Sequence, residues 1–171
     1  MATTCSQTLT GLVNKCETSK GGIKTVWLAP YDSTKRPDVE EGVITDIPAA
    51  DTYVKFYFKK NTSGLESTLN IDPANGINYV TTVLSLVFTK MDTEKRIAMT
   101  ALATSDLMGV VEDSNGVYHY IGYDEPVSAT AGTGSTGVAK GDGNKYTIEL
   151  TDESTEFPYS LADKAIAQLP A

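Results

Sequence analysis

The sequence is poor in the residues most chemistry needs: of 171 residues, one is histidine, one tryptophan and two cysteine. With His119 alone, a serine triad would rest on a single imidazole, and no G-x-S-x-G elbow occurs. Two cysteines and one histidine also fall short of a zinc set. Cys5 and Cys16 can in principle pair, but a reducing compartment favours buried thiols, so their pairing stays open. No apolar run reaches the length of a membrane span, and the start lacks a basic region followed by an apolar one. The product is expected to be soluble and made in a cytoplasm. Basic residues are outnumbered, 14 against 22 acidic, for a formal charge of −8 and a pI near 4.6. That balance argues against nucleic-acid binding through a basic face. No repeat recurs at a fixed period.

What is present is β-patterned. Nine tyrosines among 40% hydrophobic residues suit one folded domain over residues 1–171. In the run Gly21-Gly-Ile-Lys-Thr-Val-Trp-Leu-Ala29, Ile23, Thr25 and Trp27 point one way, and Val26 and Leu28 the other. Both faces are partly apolar, which predicts a strand covered on both sides. A short strand is expected near Val43 within a Pro- and acid-rich loop. Val54, Phe56 and Phe58 alternate with Tyr53, Lys55, Tyr57 and Lys59. The first set reads as core; the second is either a solvated face or a subunit contact. Leu65, Ser67, Leu69 and Ile71 lead through Asp72-Pro-Ala-Asn-Gly76 into a long strand from Ile77, with Val80, Leu84, Leu86 and Phe88 on one face. This is an overlong hairpin whose turn rests on Pro73 and the Asn75-Gly76 pair.

One segment breaks the rhythm of two. Over residues 92–105, Ile97, Ala98, Ala101, Leu102 and Ser105 fall at helical spacing, which predicts one helix capped by Asp92 or Thr93. Val110-Val111 and residues 117–121 flank an asparagine-glycine hairpin turn. Residues 118–124 and 145–151 read as strands joined into a second long hairpin by a glycine-rich loop at 131–144. Residues 153–171 read as a C-terminal arm. The expected class is mainly β, an antiparallel sandwich or barrel with one flanking helix.

Candidate chemistry is thin. Gly132-Thr-Gly134-Ser-Thr-Gly137 matches a dinucleotide fingerprint in letters only, since no helix is predicted after it to hold a pyrophosphate. Lys140 precedes glycine and forms no Walker loop. Asp32, Asp38, Glu40, Glu41 and Asp46 cluster without the ligand spacing of a calcium loop. His119 on an apolar strand reads as a packing residue. Catalytic, cofactor and metal residues are all expected to be none, and the chain is expected not to be an enzyme. The candidate residues are subunit contacts: Tyr53, Lys55, Tyr57 and Lys59 on one strand, and Asp72, Pro73, Asn75 and Gly76 at the hairpin turn.

The stretches Cys5…Leu9-Thr-Gly11…Cys16…Gly21-Gly-Ile-Lys24-Thr-Val-Trp-Leu and Gly137-Val-Ala-Lys…Asp142-Gly-Asn-Lys-Tyr-Thr-Ile-Glu-Leu carry a resemblance. They are similar to small virion structural proteins of tail-tube type from phages of Bacteroides-like bacteria. The resemblance implies a β-sandwich or barrel with one helix that forms a homo-oligomeric ring, hexameric in the family. Such rings stack around a lumen that conducts DNA as non-specific cargo, in contact with other tail or neck proteins and with no membrane. A capsid decoration or head-to-tail connector protein, or a glycan-binding adhesin module stacking sugars on Trp27, are the alternative expectations.

Overall fold

The computed structural model describes residues 10–171; Cys5, and with it any pairing to Cys16, lies outside the described residues. In chain order the elements are β1 (Ile23–Pro30), β2 (Asp38–Glu40), β3 (Val43–Asp46), β4 (Val54–Tyr57), β5 (Gly64–Asp72) and β6 (Ile77–Thr89). There follow α1 (Thr93–Thr104), β7 (Leu107–Asp113), β8 (Tyr118–Ile121), β9 (Ser128–Ser135), β10 (Lys145–Ser154), β11 (Tyr159–Leu161) and α2 (Asp163–Ile166). The protein is mainly β, as the alternating sequence dictates. No helix among the described residues is long and apolar enough to cross a membrane.

The strands form two sheets. A seven-stranded sheet runs β2-β3-β11-β8-β7-β1-β4, and a four-stranded sheet runs β5-β6-β10-β9. Between them lies a core of Val26, Leu28, Leu84, Leu86, Ile148 and Leu150, joined by Leu102 of α1. On the opposite face of the larger sheet, Trp27, Ile44, Ile47, Tyr53, Val110 and Tyr120 form a second core under Leu161 and Ala165. The larger sheet is thus covered on both faces, which explains why β1 is apolar on both sides. Close packing of β1 on β7 requires Gly109, where a Cβ would stand 2.6 Å from the Trp27 carbonyl and 2.7 Å from Leu28 Cδ2.

Four expectations need correction. A register shift between Ile23 and Thr25 turns Ile23 onto the face of Val26 and Leu28, not that of Trp27, because a bulge reverses the alternation. The helix begins at its Asp92 cap, whose side chain accepts from Lys95 N at 2.9 Å, but its inward stripe is Ala98, Met99 and Leu102. Ile97 and Ala101 are exposed, since α1 rests on β9 and β10 along one narrow line. The predicted hairpin of residues 118–151 does not form. β8 pairs with β7 and β11 in the larger sheet, whereas β10 pairs with β9, a strand that starts at Ser128 and runs into the supposed loop as far as Ser135.

The fourth concerns residues 153–171. β10 runs to Ser154, β11 inserts between β3 and β8, and α2 packs Ala165 into the second core. Gln168 locks this end in place: its Oε1 accepts from Ile47 N at 2.9 Å and its Nε2 donates to Asp46 Oδ1 at 2.6 Å. Trp27 Nε1 donates to the Pro170 carbonyl at 2.9 Å. The segment read as an arm is therefore part of the folded body.

Candidate assembly surface

The four-stranded sheet buries one face and leaves the other open. Each strand alternates, so Val80, Thr82, Leu84 and Leu86 of β6 point inward while Thr81, Val83, Ser85 and Val87 point out. Registered beside them are Glu66 and Thr68 of β5 and Thr147, Glu149, Thr151 and Glu153 of β10. Among the strand residues of that outer face, Glu66, Glu149 and Glu153 stand against one base, Lys145. The rest is largely hydroxyl, tied in cross-strand pairs such as Thr130 Oγ1 with Thr151 Oγ1 at 2.9 Å and Asn70 Nδ2 donating to Thr81 Oγ1 at 2.9 Å. Nothing within the described chain covers this face.

The same sheet ends in two unpaired strands. β5 bonds only β6 and β9 bonds only β10, so each presents a row of backbone N–H and C=O groups. β9 carries no charge from Ser128 to Ser135. Its Gly134 leaves room for the Tyr146 ring, which a Cβ would meet at 2.8 Å. Sequence reasoning missed this edge because its alternating residues are Ser, Ala, Thr and Gly, which give no apolar contrast.

The hairpin overhangs the sheet. β5 and β6 pair as far as Asp72 with Ile77, whereas β10 accompanies β6 only to Val80. From the Val80 rung outward Leu69, Ile71, Ile77 and Tyr79 stand out as exposed apolar side chains, Ile71 at 62%. The turn is rigid: Asp72 Oδ1 accepts from Ala74 N at 3.1 Å, its Oδ2 accepts from Asn75 Nδ2 at 2.7 Å, and Gly76 has φ +66°. The bond from Asn75 holds the Asp72 carboxyl below its ordinary pKa. Asp72, Pro73, Asn75 and Gly76 therefore sit together at the tip, with the last three exposed.

The other candidate group does not stay together. Tyr53 is only 4% exposed, and its hydroxyl lies 3.3 Å from that of Tyr120 in the second core, so it is corrected from contact to packing residue. Burial raises its pKa. Lys55 folds its ammonium over the rings of Trp27 at 5.2 Å and Tyr57 at 4.7 Å. Tyr57, 70% exposed, and Lys59 remain surface groups at the edge strand β4. On the opposite parity Phe56 and Phe58 pack against Phe88, while Val54 is exposed.

His119 Nε2 lies 3.5 Å from Asp113 Oδ2, in a surface groove beside β5. Among the described residues, no group of three or more His, Cys, Asp or Glu is placed to hold a metal ion. Asp142 accepts from Val138 N and Ala139 N, and Asp32 from Thr34 N, so these acids close turns. No family model matches the chain, and no curated protein matches its sequence.

Proposed function

We propose that the protein is a virion structural subunit of phage tail-tube type, assembling into stacked rings around a DNA-conducting lumen. The observation that carries this reading is one sheet with two free edges, β5 and β9, on opposite sides of an open, acidic face. Copies that add β9 of one to β5 of the next make a heterologous contact, which closes into a ring when the rotation is right. The open face then becomes the inner wall. Glutamates and hydroxyls there repel or merely hydrate phosphates, where lysines would bind them and stall transit. The overhanging hairpin, with its exposed Ile71 and Ile77, is the joint to neighbouring copies.

In this role the subunit works by shape and contact, holds no cofactor and catalyses nothing. It would reside in the virion after synthesis in the host cytoplasm, and would meet other tail or neck proteins. A connector or decoration protein would use the same edges. Against the adhesin reading, Trp27 is buried and its indole N–H is already bonded, so no sugar can stack on it. Electron microscopy of the purified protein at high concentration tests the proposal. Rings or tubes are expected; a monodisperse monomer overturns it.

A further inference from the structure

We propose that Asn75 is a site of self-modification, where the Asn75-Gly76 bond cyclises and reopens as aspartate or isoaspartate and so retires the hairpin tip of copies left free. The conversion follows from the chain's own geometry, while its consequence rests on the reading of the tip as a joint between copies. The Asn-Gly and Asp-Gly bonds of this chain are Asn75-Gly76, Asn115-Gly116 and Asp142-Gly143, and all six residues are exposed. Each bond sets a side-chain carbonyl carbon beside a backbone nitrogen that no Cβ shields. Exposure therefore does not choose between them, but hydrogen bonding does.

Asn115 is clamped at both ends of its amide: Oδ1 accepts from Lys20 N at 2.7 Å and Nδ2 donates to the Lys20 carbonyl at 3.0 Å. Its neighbour Gly116 N, the nitrogen that would attack, already donates to the Asp113 carbonyl at 3.3 Å. Asp142 is disabled differently. Its Oδ2 accepts from Ala139 N at 2.7 Å and Val138 N at 2.9 Å, and these bonds hold the carboxyl below its ordinary pKa, in the ionised form that resists attack. Asn75 has neither protection. One bond holds its amide, from Nδ2 to Asp72 Oδ2 at 2.7 Å, and the Gly76 N–H has no acceptor among the described residues. Nothing stands within 4 Å of the place a Gly76 Cβ would take, so the attacking side is open.

In the reaction a base in solution takes the Gly76 amide proton, and that nitrogen attacks Asn75 Cγ. The new bond closes a succinimide ring as the Cγ–Nδ2 bond breaks, and the leaving nitrogen takes a proton from water to depart as ammonia. Water then opens the ring. Attack at the side-chain carbonyl leaves aspartate, whereas attack at the main-chain carbonyl leaves isoaspartate, whose backbone runs through the former side chain. One water is consumed overall, and nothing is oxidised or reduced.

Either product replaces a donor with a carboxylate facing Asp72 Oδ2, so like charges meet where a hydrogen bond closed the turn. Isoaspartate also adds a carbon to the main chain between the paired residues Asp72 and Ile77. The exposed Ile71 and Ile77 flank that rung, so the apolar part of the joint is disturbed with it. Assembly would cover the tip, which confines the conversion to unassembled copies.

The test is to age the purified full-length protein, dilute and mildly alkaline, and to follow each asparagine by peptide mapping with mass spectrometry, isoaspartate being identified by electron-transfer fragmentation. Asn75 is expected to convert about tenfold or more faster than Asn115, whose three hydrogen bonds must open first. In urea, where no fold distinguishes them, the two should convert alike. Equal rates in the folded chain, or a preference that persists in urea, overturn the proposal. Aged protein is then expected to form fewer rings in the microscope than fresh protein, and aged Asn75→Gln as many as fresh Asn75→Gln, because the longer side chain cyclises poorly. Converted copies that enter rings as readily as fresh ones overturn the consequence drawn for the tip. Fast conversion at Asn75 without rings from fresh protein upholds the modification site and overturns the ring reading.

Discussion

Ser154 of β10 stands opposite Val80 of β6, and that pair is the last rung the two strands share. Everything in the hairpin beyond it is held by the β5–β6 ladder alone. Deleting residues 72–78 and rejoining the strands with a tight turn removes the overhang without touching either core. The expected product is a folded, soluble monomer by circular dichroism and sedimentation that forms no rings. Native rings from that variant would leave the contact to the free edges β5 and β9 without the overhang.

Phe56 and Tyr57 test the two faces of β4. The Phe56 ring meets Phe88 edge-on at 6.1 Å, but it is only half buried. Phe56→Ala should cost about 2–3 kcal/mol, below the range for a fully buried phenylalanine. Tyr57→Ala removes an exposed ring and one cation–π partner of Lys55, a loss of about 0.5–1 kcal/mol. Equal losses in chemical denaturation would mean that the strand faces are assigned the wrong way round.

Asp152 is 3% exposed; one oxygen accepts from Gly122 N at 3.1 Å and the other has no partner. Burial, with the charges of Asp124, Glu125 and Glu153 nearby, raises its carboxyl from 3.8 to about 6. The folded chain therefore keeps a proton that the unfolded chain releases. The stability this adds is complete below about pH 4 and is lost as pH rises through about 6. Asp152→Asn mimics the protonated form. It should stabilise the protein at pH 7.5 by on the order of 2 kcal/mol and do almost nothing at pH 4. A gain of equal size at both pH values would contradict the assignment.

Gly109→Ala places a methyl against the Trp27 carbonyl and Leu28 Cδ2. Backbone cannot yield as a side-chain tip does, so the cost should reach about 2–3 kcal/mol. Gly141→Ala, where a Cβ meets open space, should leave the melting temperature nearly unchanged.

Along β6, where residues alternate in polarity, the sequence was a faithful guide, whereas the alternation of residues 53–59 placed Val54 in the core although it is exposed. Val80, Leu84 and Leu86 face the core as their spacing demands, and the Asp72–Gly76 turn forms on its Pro and Asn-Gly signals. The helix is announced by Asp92 and by the change of period. The failures have a common cause, since they fall where contrast is absent or the partner is remote. β9 is made of small residues. β11 contributes two residues, Ser160 and Leu161, to a parallel pairing with β3, which leaves no local imprint. Tyr53 has a polar tip that reads as surface, yet the hydroxyl of Tyr120, 67 positions away, satisfies it inside. At the candidate assembly surface the tip residues could be read locally, whereas the free edges exist only once the order of strands is known.

The β3–β11 pairing, which sets Val43 beside Ser160, also governs how the molecule reaches its native state. Loop-closure entropy must be met before such a distant contact returns anything, so folding belongs in the slow regime of milliseconds to seconds. The β5–β6 and β9–β10 ladders close over short loops and can form first. A half-folded chain would then already display the strand edges while its larger sheet is incomplete. The interval between those events is when premature association competes with folding, and dilute, cool refolding should give the highest yield.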